Sequence, residues 1–153
     1  MKPHLVNIKT TIDKPLKEVF SFFSNAENLN LLTPPEVNFK ILTPLPIIIE
    51  QGSLVDYRIK LSGITFYWRT EIIVWEPPFR FVDVQKKGPY QLWKHEHCFE
   101  EVQGKTIMTD LVEYLAPGWI FEPIINALYV DRKIRKIFEY RSTQITHWAQ
   151  NSN

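Results

Sequence analysis

Cysteine is almost missing from this chain. Cys98 stands alone, which rules out an internal disulfide and the usual structural zinc patterns. Charge of a single sign is missing too: 18 basic and 17 acidic residues leave a net charge of +1, so no broad field favours nucleic acid or an anionic membrane. No apolar run approaches membrane-spanning length, and the N-terminal stretch MKPHLVNIKTTIDKP holds none long enough for a signal peptide. No repeat, low-complexity tract or linker interrupts the chain. The expectation is a soluble cytosolic protein folded as one domain over residues 1–153. What is plentiful is aromatic side chain, at 14% of residues, useful for core and for lining apolar pockets alike.

The stretch Trp75 to Phe99 has strand periodicity with polar groups in odd places. After Glu76-Pro77-Pro78, Phe79, Phe81, Asp83 and Gln85 share one strand face. Beyond the turn at Gly88-Pro89, Trp93, His95, His97 and Phe99 share a face, and Lys94, Glu96, Cys98 and Glu100 form a charged outer one. The inward face therefore carries Asp83, Gln85 and two histidines. Buried polar groups are costly without partners, so such a face predicts a wet or ligand-filled cavity.

In chain order, residues 4–12 alternate as a half-buried strand. Asp13-Lys14-Pro15 then supplies a cap and first turn for a short helix through Val19, Phe20, Phe22 and Phe23. A second short helix through Leu29 and Leu32 ends before Pro34-Pro35, an edge strand fits Glu36 to Leu42, and Thr43 to Gln51 reads as a proline-punctuated loop.

From Gly52 to Tyr114 the pattern is five strands joined by tight connections. Turning at Ser62-Gly63 sets Tyr57 opposite Trp68, and the turn after Trp75 sets Thr70 opposite Gln85 and Ile72 opposite Asp83. The Gly88-Pro89 loop is expected to set Phe81 opposite His95 and Asp83 opposite Trp93. Gln103-Gly104 sets His97 opposite Asp110 and Trp93 opposite Tyr114. The same registers pair opposite charges outside, Asp56 with Arg69, Arg80 with Glu96 and Lys94 with Glu113. After Pro117-Gly118 a long helix is predicted, with Phe121, Ile124, Leu128, Ile134, Phe138 and Ile145 among its apolar face and Arg132, Lys133, Arg135 and Lys136 on its solvated side. A curled antiparallel sheet closed by such a helix is an α+β grip with a space between the two.

The segments Leu32-Thr33-Pro34-Pro35, Trp68-Arg69-Thr70 to Trp75-Glu76-Pro77-Pro78, Phe81 to Gln85 with Gly88-Pro89-Tyr90, Trp93 to Phe99, Asp110 to Tyr114 and Ile137 to Arg141 resemble the START-like, helix-grip superfamily, also labelled SRPBCC or polyketide cyclase/dehydrase-like. More narrowly they are similar to its bacterial ligand-binding branch, whose members also occur fused to sugar-nucleotide epimerase-like domains. The resemblance runs almost end to end and implies the helix-grip fold: a curved seven-stranded antiparallel sheet around a long C-terminal helix, with two short helices after the first strand. Pro123 and the Trp119-Ile120-Phe121 cluster depart from the small, glycine-rich helix start of the branch.

Tyr57, Trp68, Thr70, Asp83, Gln85, Trp93, His95, His97, Asp110 and Tyr114 are the predicted ligand-binding set. The expected partner is a small hydrophobic or aromatic molecule such as a lipid or polyketide, held by a carrier or sensor; no nucleic acid or cofactor is expected. An enzyme of the cyclase or dehydratase kind would use His97 and Asp110 as acid and base. A third reading is a protein-interaction module of the chaperone-activator kind. His95 and His97 could ligate a metal only with a third ligand, for which Asp110 is the candidate, and ordinary hydrogen-bonded cavity histidines are preferred. Cys98, outward among charges, is not read as a catalytic thiol. Binding is favoured over catalysis, because no nucleophile or phosphate loop accompanies the acid–base set.

Overall fold

A computed structural model describes residues 1–152. Seven strands form one antiparallel sheet in the order β1-β7-β6-β5-β4-β3-β2. They are β1 (His4–Ile12), β2 (Lys40–Ile41), β3 (Leu54–Leu61), β4 (Ile64–Glu76), β5 (Arg80–Lys87), β6 (Leu92–Val102) and β7 (Lys105–Leu115). Helices α1 (Leu16–Phe23) and α2 (Leu29–Leu32) follow the first strand. A continuous helical path closes the chain, from a 3-10 turn at Trp119–Phe121 through α3 (Glu122–Ile125) and a π segment (Asn126–Val130) to α4 (Asp131–Asn151). This is the helix-grip fold that the sequence implied.

Two hairpins turn where expected and for the expected reason. Ser62-Gly63 and Gln103-Gly104 both hold positive φ at each position, the backbone that matches the twist of paired strands. They set Tyr57 opposite Trp68 and His97 opposite Asp110. The β4–β5 pairing also agrees, with Thr70 opposite Gln85 and Ile72 opposite Asp83.

The β5–β6 register is two residues off the expected one: Phe81 stands opposite His97, and Asp83 opposite His95. The cause is the connection. Gln85 folds its amide onto the backbone of Tyr90, donating to its carbonyl at 2.7 Å and accepting from its N–H at 3.2 Å. The loop is thereby widened, and the ladder stops at Val84–Lys94. Gly88 leaves room for this fold-back, since a Cβ would lie 2.2 Å from the Gln85 side-chain oxygen and push that side chain aside. A shift by two preserves the faces, so Asp83, His95 and His97 still point inward.

Other departures are local. Asp13 does not cap α1; the Glu101 carboxylate, arriving from β6, accepts from the Leu16 N–H at 2.9 Å. The edge strand shrinks to Lys40–Ile41, because Pro35–Val37 makes a 3-10 turn that ends on Asn38 in the left-handed region. On the outer face Asp56 receives Arg69 in a two-pronged pair at 2.7 and 2.9 Å, which holds the Asp56 carboxyl at about 2. Arg80 reaches Glu96 at 2.6 Å diagonally, since Cys98 is what stands opposite it.

Three apolar clusters make the core. One packs α1 and the end of α4 on Phe81, Phe99 and Met108. A second joins Val6, Val112 and Tyr114 to Ile134 and Phe138, and a third gathers Val37, Ile59 and Trp68. They meet around a space between sheet and helix.

Candidate functional site

That space is a cavity of about 200 Å³, lined by members of all three clusters. Its walls are mostly apolar. Strands β3 to β6 contribute alternate inward residues, α4 contributes Ile134, Ile137, Phe138 and Arg141, and Ile49 reaches in from the loop before β3. Cavities of about 150 Å³ admit a benzene ring, so this one suits a compact one- or two-ring molecule.

Of the predicted set, Tyr57, Trp68, Thr70, Asp83, Trp93, His95 and His97 line the cavity. Gln85, Asp110 and Tyr114 do not. The Gln85 amide is spent on the Tyr90 loop, and the fully buried Tyr114 turns its hydroxyl to Asn126 at 2.9 Å. Asp110 lies behind the two imidazoles.

The polar wall is a chain of buried groups. Thr70 donates its hydroxyl to Asp83 Oδ1 at 3.1 Å, and His97 Nε2–H donates to Asp83 Oδ2 at 2.9 Å. His95 Nε2–H donates to Asp110 Oδ1 at 2.7 Å, and Arg141 Nη1 lies 3.6 Å from the same oxygen. The expected hydrogen bond between His97 and Asp110 is therefore replaced by two diagonal ones. Although these two residues are opposite in register, His97 Nδ1 sits 3.5 Å from Asp110 without bonding it. The rings explain the exchange: His95 and His97 are 3.7 Å apart between centroids, and His97 stacks on Phe81 at 4.0 Å. That stack turns Nε2 of His97 toward β5.

Because a carboxylate only accepts, each histidine must carry its proton on Nε2. Burial, reinforced by the field of the adjacent His95, pushes the His97 pKa down to about 4 against the opposing pull of Asp83 and Asp110. Burial also works to raise Asp83, but the hydrogen bond from His97, the fields of both histidines and Thr70 outweigh it and leave it lowered. At Asp110 burial is likewise overcome, by the bond and field of His95 and then by Arg141 and His97. Among the described residues two side-chain polar atoms remain buried without a partner, Trp68 Nε1 and His97 Nδ1. The first is a donor and, with His97 neutral, the second is an acceptor. Burial, then Asp83, pushes the Tyr57 phenol well up, so it stays a neutral hydroxyl.

The depressed His97 pKa makes stability depend on pH. His97 takes up its proton near 6.5 when unfolded but only near 4 when folded, so folding stability is full above the unfolded value and is lost as pH falls between them. The expected loss is about 3 kcal/mol. Urea unfolding from pH 7 to 4.5 should show this slope in the wild type and a flatter one in His97→Gln. Parallel profiles would remove His97 as the source.

Sequence reasoning missed Arg141. Its signal was its position, three residues after Phe138 and four after Ile137 in the apolar stripe, where a solvated arginine has no reason to be. Sequence reasoning also chose the wrong third partner for a metal: Asp83, not Asp110, joins His95 and His97, with ligating atoms of the three within 4.8 Å of one another. Those three would hold a cation if one bound, in exchange for the His97–Asp83 hydrogen bond. Cys98 is half-buried, and burial followed by the charge of Glu96 pushes its thiol up, which does not favour the nucleophilic thiolate.

No protein-family model matches the sequence. No curated protein matches it either. Solved structures do. An aromatase/cyclase from a Streptomyces species superposes with a TM-score of 0.75 at 13% identity, covering 97% of this chain and 94% of that one. A Chromobacterium violaceum protein gives 0.74 at 11% identity, covering 97% and 98%. A nucleoside-diphosphate sugar epimerase from Corynebacterium glutamicum gives 0.64 at 21% identity, with 93% of this chain matching 28% of the epimerase. The shared architecture is the helix-grip fold, and at these identities the likeness is one of fold alone.

Proposed function

We propose that the protein binds one compact, mainly apolar molecule, aromatic or alicyclic, in the cavity between the sheet and α4, as a carrier or sensor. One observation carries this reading: an apolar cavity of about 200 Å³ whose polar wall leaves Trp68 Nε1 and His97 Nδ1 without partners. A buried donor or acceptor left unpaired costs about 1–3 kcal/mol, a cost that a bound ligand with a complementary group removes. The aromatic walls supply the rest. Trp68 packs edge-on against Trp93 at 5.5 Å and near-parallel to Tyr57 at 5.7 Å, so flat molecules are favoured.

Native mass spectrometry of freshly purified protein, with the released fraction analysed for small organics, tests this. The expected result is a discrete bound mass, or in its absence stoichiometric uptake of 2-naphthol. Unliganded protein that takes up neither 2-naphthol nor an apolar dye would overturn the reading.

The acid–base reading has a specific observation of its own, in revised form. Asp83 orients a neutral His97 whose second nitrogen is free, as in an imidazole poised to accept a proton. A pKa near 4 makes that base weak, which is why binding is preferred. Turnover of an aromatic polyketide that is abolished in His97→Gln would reverse the preference.

A further inference from the structure

The start of the C-terminal helical path is inside out. Its buried side chains are polar: Glu122 is 1% exposed and Asn126 7%. Its solvent side is Trp119, Ile120, Phe121, Ile124, Leu128 and Tyr129, each 60–79% exposed. The polar pair holds this arrangement in place. The Glu122 carboxylate accepts from His4 Nε2 at 2.9 Å and from the Ala116 N–H at 3.0 Å, and Asn126 takes the Tyr114 hydroxyl at 2.9 Å. Rotating the segment to bury its apolar face would break all three bonds. Six large apolar groups are thus presented to the outside on a clamped scaffold, at a density soluble surfaces avoid.

The next two turns of the helix identify the medium. Arg132 and Arg135 continue the side that carries Leu128, and Lys133 and Lys136 the side that carries Tyr129, about one and two turns further on. Asp131, paired to Arg135 at 2.9 Å, is the one carboxylate among these four cations on the segment, while Lys136 also lies 3.8 Å from Glu36. An apolar tip of Trp, Ile, Phe, Leu and Tyr followed by a band of Lys and Arg is the order of layers that an anionic bilayer presents, acyl region first and headgroup phosphates next. No described helix is long and apolar enough to cross a membrane, so the tip would lie in the interface.

We propose that residues 119–136 dock this protein on anionic lipid surfaces, the apolar tip entering the headgroup boundary and the four cations meeting phosphates. The proposal is independent of what fills the cavity. It does place the cavity beside the bilayer, because α4 runs from the docking face into the cavity wall at Ile134 and Ile137.

Co-sedimentation with vesicles of phosphatidylcholine alone, or mixed with phosphatidylglycerol, tests it in three proteins: wild type, Ile120→Ser/Phe121→Ser, and Lys133→Glu/Lys136→Glu. Ile120, Phe121 and Lys136 are exposed and Lys133 is half-buried beside Ser62, so circular dichroism checks that each variant stays folded. The wild type should pellet with the mixed vesicles and be released by salt. The apolar variant should bind at least tenfold less, and the charge variant should lose its preference for the anionic vesicles. Failure of the wild type to pellet at low salt, or equal binding by the apolar variant, would overturn the proposal. So would a concentration-dependent dimer that Ile120→Ser/Phe121→Ser dissolves, since the patch would then belong to a second copy.

Discussion

Replacing Asp110 with alanine should cost about 3–5 kcal/mol of folding stability, the range for removing one partner of a buried charged pair. Asp110 is 2% exposed, accepts from His95 at 2.7 Å and faces Arg141 at 3.6 Å. Its loss strands an imidazole N–H and the guanidinium in a wall that water reaches poorly. Asp83 differs, because it borders the cavity and its side chain is 17% exposed, so Asp83→Ala should cost less. Urea unfolding of both variants measures the order. A third variant separates charge burial from packing: Asp110→Leu with His95→Leu and Arg141→Met replaces the group by apolar volume and should recover much of the loss. Equal costs for Asp110→Ala and Asp83→Ala would contradict the geometry given for the polar wall.

The second large effect is a cavity that can be enlarged and refilled. Phe138→Ala should cost about 3–5 kcal/mol through lost burial and added void. Phe138 is 5% exposed, sits edge-on to His95 at 5.5 Å and carries Arg141 5.5 Å over its ring. Because it lines the existing cavity, the variant should accept a larger flat molecule, and ligand at a hundred times its Kd should restore about 2.7 kcal/mol. Ile145→Ala is the control. Ile145 is 1% exposed but belongs to the cluster under α1, away from the cavity lining, so its loss of about 2–5 kcal/mol should not be rescued by ligand. Thermal shifts with and without 2-naphthol decide it; similar rescue of both variants would mean that the ligand binds elsewhere.

Much of the fold was legible because strand faces have period two and the hairpin turns carry their own signals. Ser62-Gly63 and Gln103-Gly104 fixed two registers through backbone geometry alone. The β5–β6 register was not legible, since it depends on Gln85 folding back on Tyr90, an event that local periodicity does not encode. The same limit applies to the site. Which face holds Asp83, His95 and His97 followed from alternation, but which carboxylate each imidazole bonds depended on the stack of His97 on Phe81 and on two rings 3.7 Å apart. The start of the C-terminal path misled in another way. Phe121, Ile124 and Leu128 read as core because apolar residues usually are, yet Glu122 and Asn126 take the inside by bonding His4, Ala116 and Tyr114. Only the partners, distant in sequence, reveal this.

The cavity reading meets its most direct test at the indole N–H of Trp68, buried and without a partner at the cavity wall. Heteronuclear NMR of the tryptophan side chains during titration with 2-naphthol should move this resonance furthest, in the direction of a newly formed hydrogen bond, with saturation at one equivalent, and Trp68→Phe should weaken binding about tenfold, as the loss of one such bond does. A titration that leaves Trp68 in place while the exposed Trp119 shifts would put the ligand on the surface and contradict an internal binding site.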